Sequence, residues 1–265
     1  MLEIWQNLPS LVQPSFSLFG LEIRFYSLAY LLGLLCIFGY MQLVAFRYIN
    51  EDKLLNYENA LFAGFLAAIL GGRVFYILFY NLSYFLANPS EMFFPFIDGK
   101  FVGLYGMSFH GGLVGAALAI GYYIYTKKID FKISCHLYLP GVALALFFGR
   151  IANFLNAELY GRITNLPIAM YFDGVLRHPS QLYEACLEGL GLFAILMLCI
   201  KCRCKVNLLS VFLFFYGSFR FIVEFVREPD SQLSLFFSWM SMGQLLSLVM
   251  IAGAITLELI LDKQK

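Results

Sequence analysis

Long apolar stretches separated by short polar segments dominate the chain and predict a helical membrane protein. A membrane-spanning helix needs about 20 mainly apolar residues. Seven stretches meet this requirement approximately, at residues 26–46, 57–80, 105–126, 134–149, 181–200, 208–226 and 242–261. The expected fold class is therefore all-α, a polytopic membrane protein with seven transmembrane helices in a single membrane domain over residues 1–265.

Three polar or mixed regions interrupt this pattern. Residues 1–24 combine aromatic side chains with prolines and polar groups, which favours an interfacial position, and they lack the basic start of a cleaved signal peptide. Residues 81–104 carry turn signals at Asn88-Pro89, Pro95 and Asp98-Gly99 and predict a loop. Residues 151–178 are too polar to cross the membrane and predict a small cap.

Composition supports the membrane assignment and excludes several functions. The chain is 61% hydrophobic and 13% charged, with a mean hydropathy of +0.76. The net charge is +1 and no long basic run occurs, so no nucleic-acid partner is expected. The six cysteines lack metal-ligand or disulfide spacing, and there is no HExxH, GxSxG or Walker motif. No metal or cofactor is expected.

Basic residues near the span ends predict the orientation. Ten of the eighteen lysines and arginines fall after spans one, three, five and seven, and cytoplasmic loops retain such charges. The N-terminus and residues 151–178 are then expected to lie outside, and the C-terminus in the cytoplasm. The other eight basic residues are seven arginines and one lysine. Arginine binds phosphate or carboxylate through two parallel hydrogen bonds, so the outward half is expected to hold such a group. The alternative is that arginine is retained because it is cheaper to bury near an interface.

The stretch 149–162 is the main candidate site. Its sequence, GRIANFLNAELYGR, follows an apolar run and sets Arg150, Asn153, Asn156 and Glu158 close together at a membrane boundary. Ionisable groups within a membrane are costly and usually face a protein cavity or a ligand. The alternative is that Arg150 reaches lipid headgroups while the asparagines cap a helix end.

The sixth span carries a second polar stripe. Tyr216, Arg220, Glu224 and Arg227 are spaced four, four and three residues apart and share one helix face. Two arginines share one glutamate, so a spare positive charge would need an anion. With Arg150 opposite, the stripe predicts a two-sided phosphate clamp; the alternative is a purely structural ladder of ion pairs.

Three histidines are available as general bases: His110, His136 and His178. His110 is the best candidate because it begins the third span beside three glycines, and an imidazole can accept a proton near neutral pH. The alternative is a structural role at the helix start. His136 is expected to be structural, and His178 is expected to be a helix-entry or cap residue.

Six blocks of sequence resemble the prolipoprotein diacylglyceryl transferase family, in the same order along the chain. The signature GRIANFLNAELYG is the most specific. The others are RFYSLAY with Tyr26, GGRVFY with Arg73, FHGGLVG with His110, and HPSQLYEA and YGSFRFIVEFVREPD. The first block departs most, with Phe25 and Ser27 where Trp and Gly are expected.

The resemblance implies transfer of a diacylglyceryl group from phosphatidylglycerol to the lipobox cysteine thiol of a prolipoprotein, with release of glycerol phosphate, in the bacterial inner membrane. A lipid or organic-anion transporter that uses the same arginines is the alternative. The implied catalytic residues are His110, Arg150 and Arg220. The implied substrate-binding residues are Tyr26, Arg73, Arg150, Asn153, Asn156, Glu158, Gly161, Tyr216, Glu224 and Arg227.

Overall fold

Helices dominate the structure, as the apolar pattern predicts. The computed structural model describes residues 2–11, 14–18, 21–93, 96–97, 100–101, 106–228 and 240–263. Within these residues, five helical segments are long and apolar enough to cross a membrane. They are Phe25–Arg47, Glu51–Tyr80, Phe131–Leu155, Ser180–Lys201 and Met242–Asp262. The chain is thus an all-α membrane protein.

Ten α-helices and three short antiparallel hairpins make up the described residues. The helices are α1 (Leu2–Leu11), α2 (Phe25–Val44), α3 (Glu51–Tyr80), α4 (Leu82–Ala87), α5 (Phe109–Lys127), α6 (Phe131–Leu155), α7 (Ser180–Glu184), α8 (Leu192–Lys201), α9 (Leu208–Val223) and α10 (Met242–Asp262). The hairpins are β1 (Ser15–Leu18) with β2 (Leu21–Arg24), β3 (Phe96–Ile97) with β4 (Lys100–Phe101), and β5 (Met170–Phe172) with β6 (Val175–Arg177).

The chain divides into two compact units, residues 45–134 and residues 1–44 with 135–265. In the first, α3 packs along α5 through small side chains. A Cβ atom on Gly71 would overlap the carbonyl oxygen of Gly111, and one on Gly115 would overlap that of Ala67. Small residues on α3 and α5 therefore let the two backbones touch.

The second unit contains α1, α2, most of α6, and α7 to α10. Its core around α8 and α9 contains Leu192, Leu196, Leu208 and Val211, all buried. Between α7 and α8 the chain forms a seven-residue π-helix, Ala185–Gly191, so that 180–201 is helical throughout. α10 packs against α9, and its N-terminus has a capping box in which Ser241 and Gln244 satisfy each other's backbone N–H groups.

Several helix bounds differ from the sequence prediction. α6 continues to Leu155 instead of ending at residue 149, so Arg150 and Asn153 lie on a helix, and α9 ends at Val223, so Arg227 lies beyond it. α5 begins at Phe109, with Ser108 as its N-cap, whereas the predicted span begins at residue 105. Residue 105, the predicted turns at Pro95 and Asp98-Gly99, and residues 229–239 lie outside the described residues.

Residues 156–178 form an irregular segment that ends in the β5–β6 hairpin. Main-chain hydrogen bonds tie it to the residues after α9: Arg162 N–H donates to Val226 O at 2.8 Å, and Glu228 N–H donates to Tyr160 O at 3.3 Å. α1 packs on β5, and the Trp5 indole N–H donates to Ile168 O at 3.2 Å. The polar segment is therefore folded.

Candidate functional site

Six charged side chains meet in a buried cluster within the second unit. Three guanidiniums face three carboxylates there, and all six are linked by contacts of 4 Å or less. They are Arg150 on α6, Glu184 on α7, Glu188 on the π-helix, Arg220 on α9, and Glu224 and Arg227 after α9. We call these residues the ionic cluster.

Arg150 and Arg220 come from different helices and contact the same two glutamates. Glu184 lies between them, with Oε2 2.8 Å from Arg150 Nε and Oε1 2.8 Å from Arg220 Nη1. Glu188 Oε2 accepts a hydrogen bond from Arg150 Nη2 at 3.0 Å, and its Oε1 is 3.8 Å from Arg220 Nη1. The structure thus brings together the two arginines that the sequence predicts to face each other.

Glu224 connects the cluster to the start of α10. Its Oε2 lies 3.1 Å from Arg220 Nη2 and 3.7 Å from Arg227 Nη1, so two arginines share it as predicted. Its Oε1 accepts a hydrogen bond from the Ser241 hydroxyl at 3.0 Å. Tyr216, one turn before Arg220, interacts electrostatically with Arg150, Arg220, Glu184 and Glu188.

A second polar group lies where α2 begins and α6 ends. The Tyr26 hydroxyl donates to Glu158 Oε1 and accepts from Asn153 Nδ2. Asn153 Nδ2 also donates to Glu158 Oε1 at 2.9 Å. Asn156 is nearby in sequence, and its buried Oδ1 makes no hydrogen bond to any described residue. Three of the predicted binding residues thus form one hydrogen-bonded group.

Gly161 fixes the position of Arg227. The two residues form an antiparallel bridge, and Gly161 N–H donates to His178 O at 2.8 Å. A Cβ atom on Gly161 would lie 2.6 Å from His178 Cβ and 2.5 Å from Val226 O. Protein atoms therefore surround Gly161 closely, and glycine is needed here for close packing.

Two titratable side chains of the polar segment have shifted pKa values. The hydrogen bond from Tyr160 to Asp173 raises the pKa of Tyr160. Burial lowers the pKa of His178 below its ordinary value of 6.5, and His178 Nδ1 lies 3.2 Å from the Tyr183 hydroxyl. His178 is therefore a neutral imidazole near pH 7.

Arg73 and His110 belong to the compact unit of residues 45–134. Arg73 is buried and holds the segment after α4, because Nε donates to Met92 O and Nη2 donates to Glu91 O, both at 2.6 Å. Its guanidinium also lies over the Phe85 ring at 4.7 Å. These contacts give Arg73 a structural role. Its role in substrate binding stays a prediction.

His110 is exposed at the first turn of α5. It lines a groove of about 390 Å³ with Phe75, Phe79, Tyr80 and Ser108. The Ser108 hydroxyl caps the helix by accepting from Gly111 N–H at 3.4 Å. The imidazole is thus accessible from a mainly aromatic groove.

Sequence reasoning missed Glu184 and Glu188. Both side chains are fully buried, with 0% exposure, and they neutralise charges that the sequence left unpaired. The expectation of a spare positive charge therefore fails among the described residues, since three guanidiniums meet three carboxylates. The signal was present, because two glutamates four residues apart in an apolar span are a functional-site hypothesis by themselves.

Fold and site together define a class: a multi-pass membrane protein with arginines of two helices held by carboxylates in its interior. Such a site suits an anionic ligand, because each arginine keeps part of its side chain exposed, 17% for Arg150 and 14% for Arg220. The family model described as prolipoprotein diacylglyceryl transferase matches residues 13–260. The chain belongs to this family.

Curated relatives agree over nearly the whole length. A protein of Chlorobaculum tepidum is 42% identical over 98% of this chain and 93% of its own length. One of Geobacter sulfurreducens is 42% identical, with 96% and 97% covered, and one of Campylobacter jejuni is 40% identical, with 100% and 99% covered. Each is named phosphatidylglycerol–prolipoprotein diacylglyceryl transferase.

Proposed function

We propose that this protein transfers the diacylglyceryl group of phosphatidylglycerol to the lipobox cysteine of prolipoproteins. The cysteine sulfur forms a bond to the glyceryl carbon, the carbon–oxygen bond to the phosphate breaks, and glycerol phosphate leaves with the electron pair. The thiol proton passes to a base and ultimately to solvent. The relatives' names support the two substrates and the transfer.

The observation that carries the proposal is the convergence of Arg150 and Arg220. They come from α6 and α9, are held by the same glutamates, and keep an exposed fraction toward a ligand. Preorganised guanidiniums stabilise charge that develops on a leaving phosphate, and they act most strongly where water is excluded. Both arginines therefore act as the electrostatic part of the catalytic site.

The polar groups around the arginines bind and position the lipid. Tyr26 on α2, Asn153 on α6 and Glu158 after α6 form one hydrogen-bonded group, which can hold glycerol hydroxyls. The remaining binding residues in the proposal are Arg73, Asn156, Gly161, Tyr216, Glu224 and Arg227.

His110 takes the thiol proton in this proposal. A thiol has to lose its proton to become a good nucleophile, and the exposed imidazole in its aromatic groove is accessible to a substrate side chain. The nucleophile belongs to the prolipoprotein, so none of the six cysteines of this chain takes part.

The proposed topology has seven spans in a single inner-membrane domain. α5 and α9 cross the membrane together with the five longer segments. The N-terminus and the cap at residues 151–178 are periplasmic and the C-terminus is cytoplasmic, in keeping with the basic residues near the span ends. The site then faces the periplasmic side.

The test uses purified protein, phosphatidylglycerol and a lipobox peptide. We expect the peptide mass to increase by one diacylglyceryl group, with no change in a peptide whose cysteine is replaced by alanine. Lipid movement across vesicles without peptide modification would favour the transporter alternative, which the comparisons do not support.

A further inference from the structure

The ionic cluster is already neutral without a substrate. Arg150, Arg220 and Arg227 supply three positive charges, and three carboxylates balance them at 2.8 to 3.8 Å. A phosphate therefore enters a site with no surplus positive charge. A bound phosphate competes with the carboxylates for the guanidiniums, so its binding is favoured when one carboxylate releases its arginine.

Glu188 is held less firmly than Glu184. Glu184 contacts Arg150 and Arg220 at 2.8 Å each, through both of its oxygens. Glu188 has one close contact, to Arg150 at 3.0 Å, and its contact to Arg220 is longer, at 3.8 Å. Of the two, Glu188 is the carboxylate that Arg150 can release at the lower cost.

The backbone geometry places Glu188 next to Arg150. It lies in the π-helix Ala185–Gly191, a rare conformation that often occurs at functional sites. The next residue, Gly189, lets the segment approach the helix that carries Arg150, since a Cβ atom there would lie 2.6 Å from Phe147 Cβ. The unusual helix and the close approach together bring the carboxylate to the guanidinium.

We propose that Glu188 is an internal counter-anion that holds Arg150 in place and yields it to the headgroup phosphate, while Glu184 keeps both arginines positioned. The ligand's identity rests on the proposed function. The arginines are 17% and 14% exposed and both glutamates 0%, so the phosphate reaches the guanidiniums from the side opposite the carboxylates. Glu188 is a positioning residue that acts through Arg150.

Release of Arg150 should also change the protonation of Glu188. Glu188 faces Arg150 on α6, Arg220 and Tyr216 on α9, and Glu184 on its own segment. A buried carboxylate that loses its cation beside another carboxylate takes up a proton from solvent. Phosphate binding should therefore be accompanied by uptake of about one proton.

The test compares wild type with Glu188→Gln, which keeps the size and removes the charge. The probe is glycerol phosphate, titrated calorimetrically at pH 8 into the detergent-solubilised full chain in two buffers of different ionisation enthalpy. Losing the competing charge-assisted contact should tighten binding about tenfold or more. The KM for phosphatidylglycerol should fall and kcat should fall too, because the product leaves more slowly. Proton uptake should be lost.

Glu258→Gln is the matched control, since Glu258 lies on α10 and accepts from Asn207 N–H at 3.0 Å, outside the ionic cluster. Its affinity for glycerol phosphate should equal that of wild type. Unchanged or weaker binding by Glu188→Gln would overturn the proposal and leave Glu188 a merely structural residue.

Proton uptake is measured on the wild-type protein, so the proposal can be tested even if Glu188→Gln does not fold. Binding of glycerol phosphate without proton uptake would overturn it. Failure of the transfer itself is seen separately, as a wild-type protein that binds glycerol phosphate with proton uptake yet forms no modified peptide.

Discussion

Replacement of Arg150 by lysine tests whether the guanidinium geometry, and not the charge alone, drives the reaction. Arg150 makes ionic contacts through two nitrogens, Nε to Glu184 at 2.8 Å and Nη2 to Glu188 at 3.0 Å. Lysine has a single ammonium group and cannot reproduce both contacts while also forking onto a phosphate.

The structure allows the size of this defect to be worked out. A hydrogen bond to a charged group contributes about 1.5 to 3 kcal/mol. Losing one such interaction in the transition state lowers the rate about 10- to 150-fold. We therefore expect Arg150→Lys to insert and fold but to lose at least about 90% of its activity.

The assay measures initial rates of peptide modification with saturating phosphatidylglycerol, normalised to the amount of folded protein. Arg203→Lys is the control, because Arg203 is exposed in the turn after α8 and should tolerate the change. Turnover of Arg150→Lys at the wild-type rate would refute the role assigned to the guanidinium.

Three further predictions concern packing, topology and the base. Gly115→Val should destabilise the protein by more than the about 1–3 kcal/mol of a typical overpacking defect, seen as a lower melting temperature in detergent. Gly121→Val on the same helix, where nothing lies within 4 Å of the added Cβ atom, should leave the melting temperature unchanged. Equal melting temperatures for the two variants would contradict the α3–α5 packing. A reporter fused after Lys205 should be cytoplasmic and one inserted in residues 163–175 periplasmic, and the reverse result would overturn the orientation. His110→Asn should be at least about a hundredfold slower near neutral pH and recover toward about pH 8.5, where free thiolate forms; near-normal activity at pH 7 would exclude His110 as the base.

The sequence predicts the helices well because the length of an apolar run is a local property. It also predicts that Arg220 and Glu224 pair, since four residues separate them on one helix. These parts of the structure need no knowledge of which helices are neighbours.

The contacts of the site depend on helix neighbours and were harder to predict. Glu184 and Glu188 neutralise arginines on two other segments, which periodicity cannot show. The π-helix that carries Glu188 has no composition signal of its own. Arg73 similarly donates to the backbone carbonyls of Glu91 and Met92, contacts that the sequence pattern does not show.

The most direct test of the central claim is to measure both products in one time course. Wild-type protein with phosphatidylglycerol and a lipobox peptide should release one glycerol phosphate for each diacylglyceryl peptide formed. Arg220→Lys should slow both products equally, because Arg220 contacts Glu184 at 2.8 Å within the same cluster and acts on the same leaving phosphate. Peptide modification without glycerol phosphate release, or equal rates for Arg220→Lys and wild type, would contradict the account.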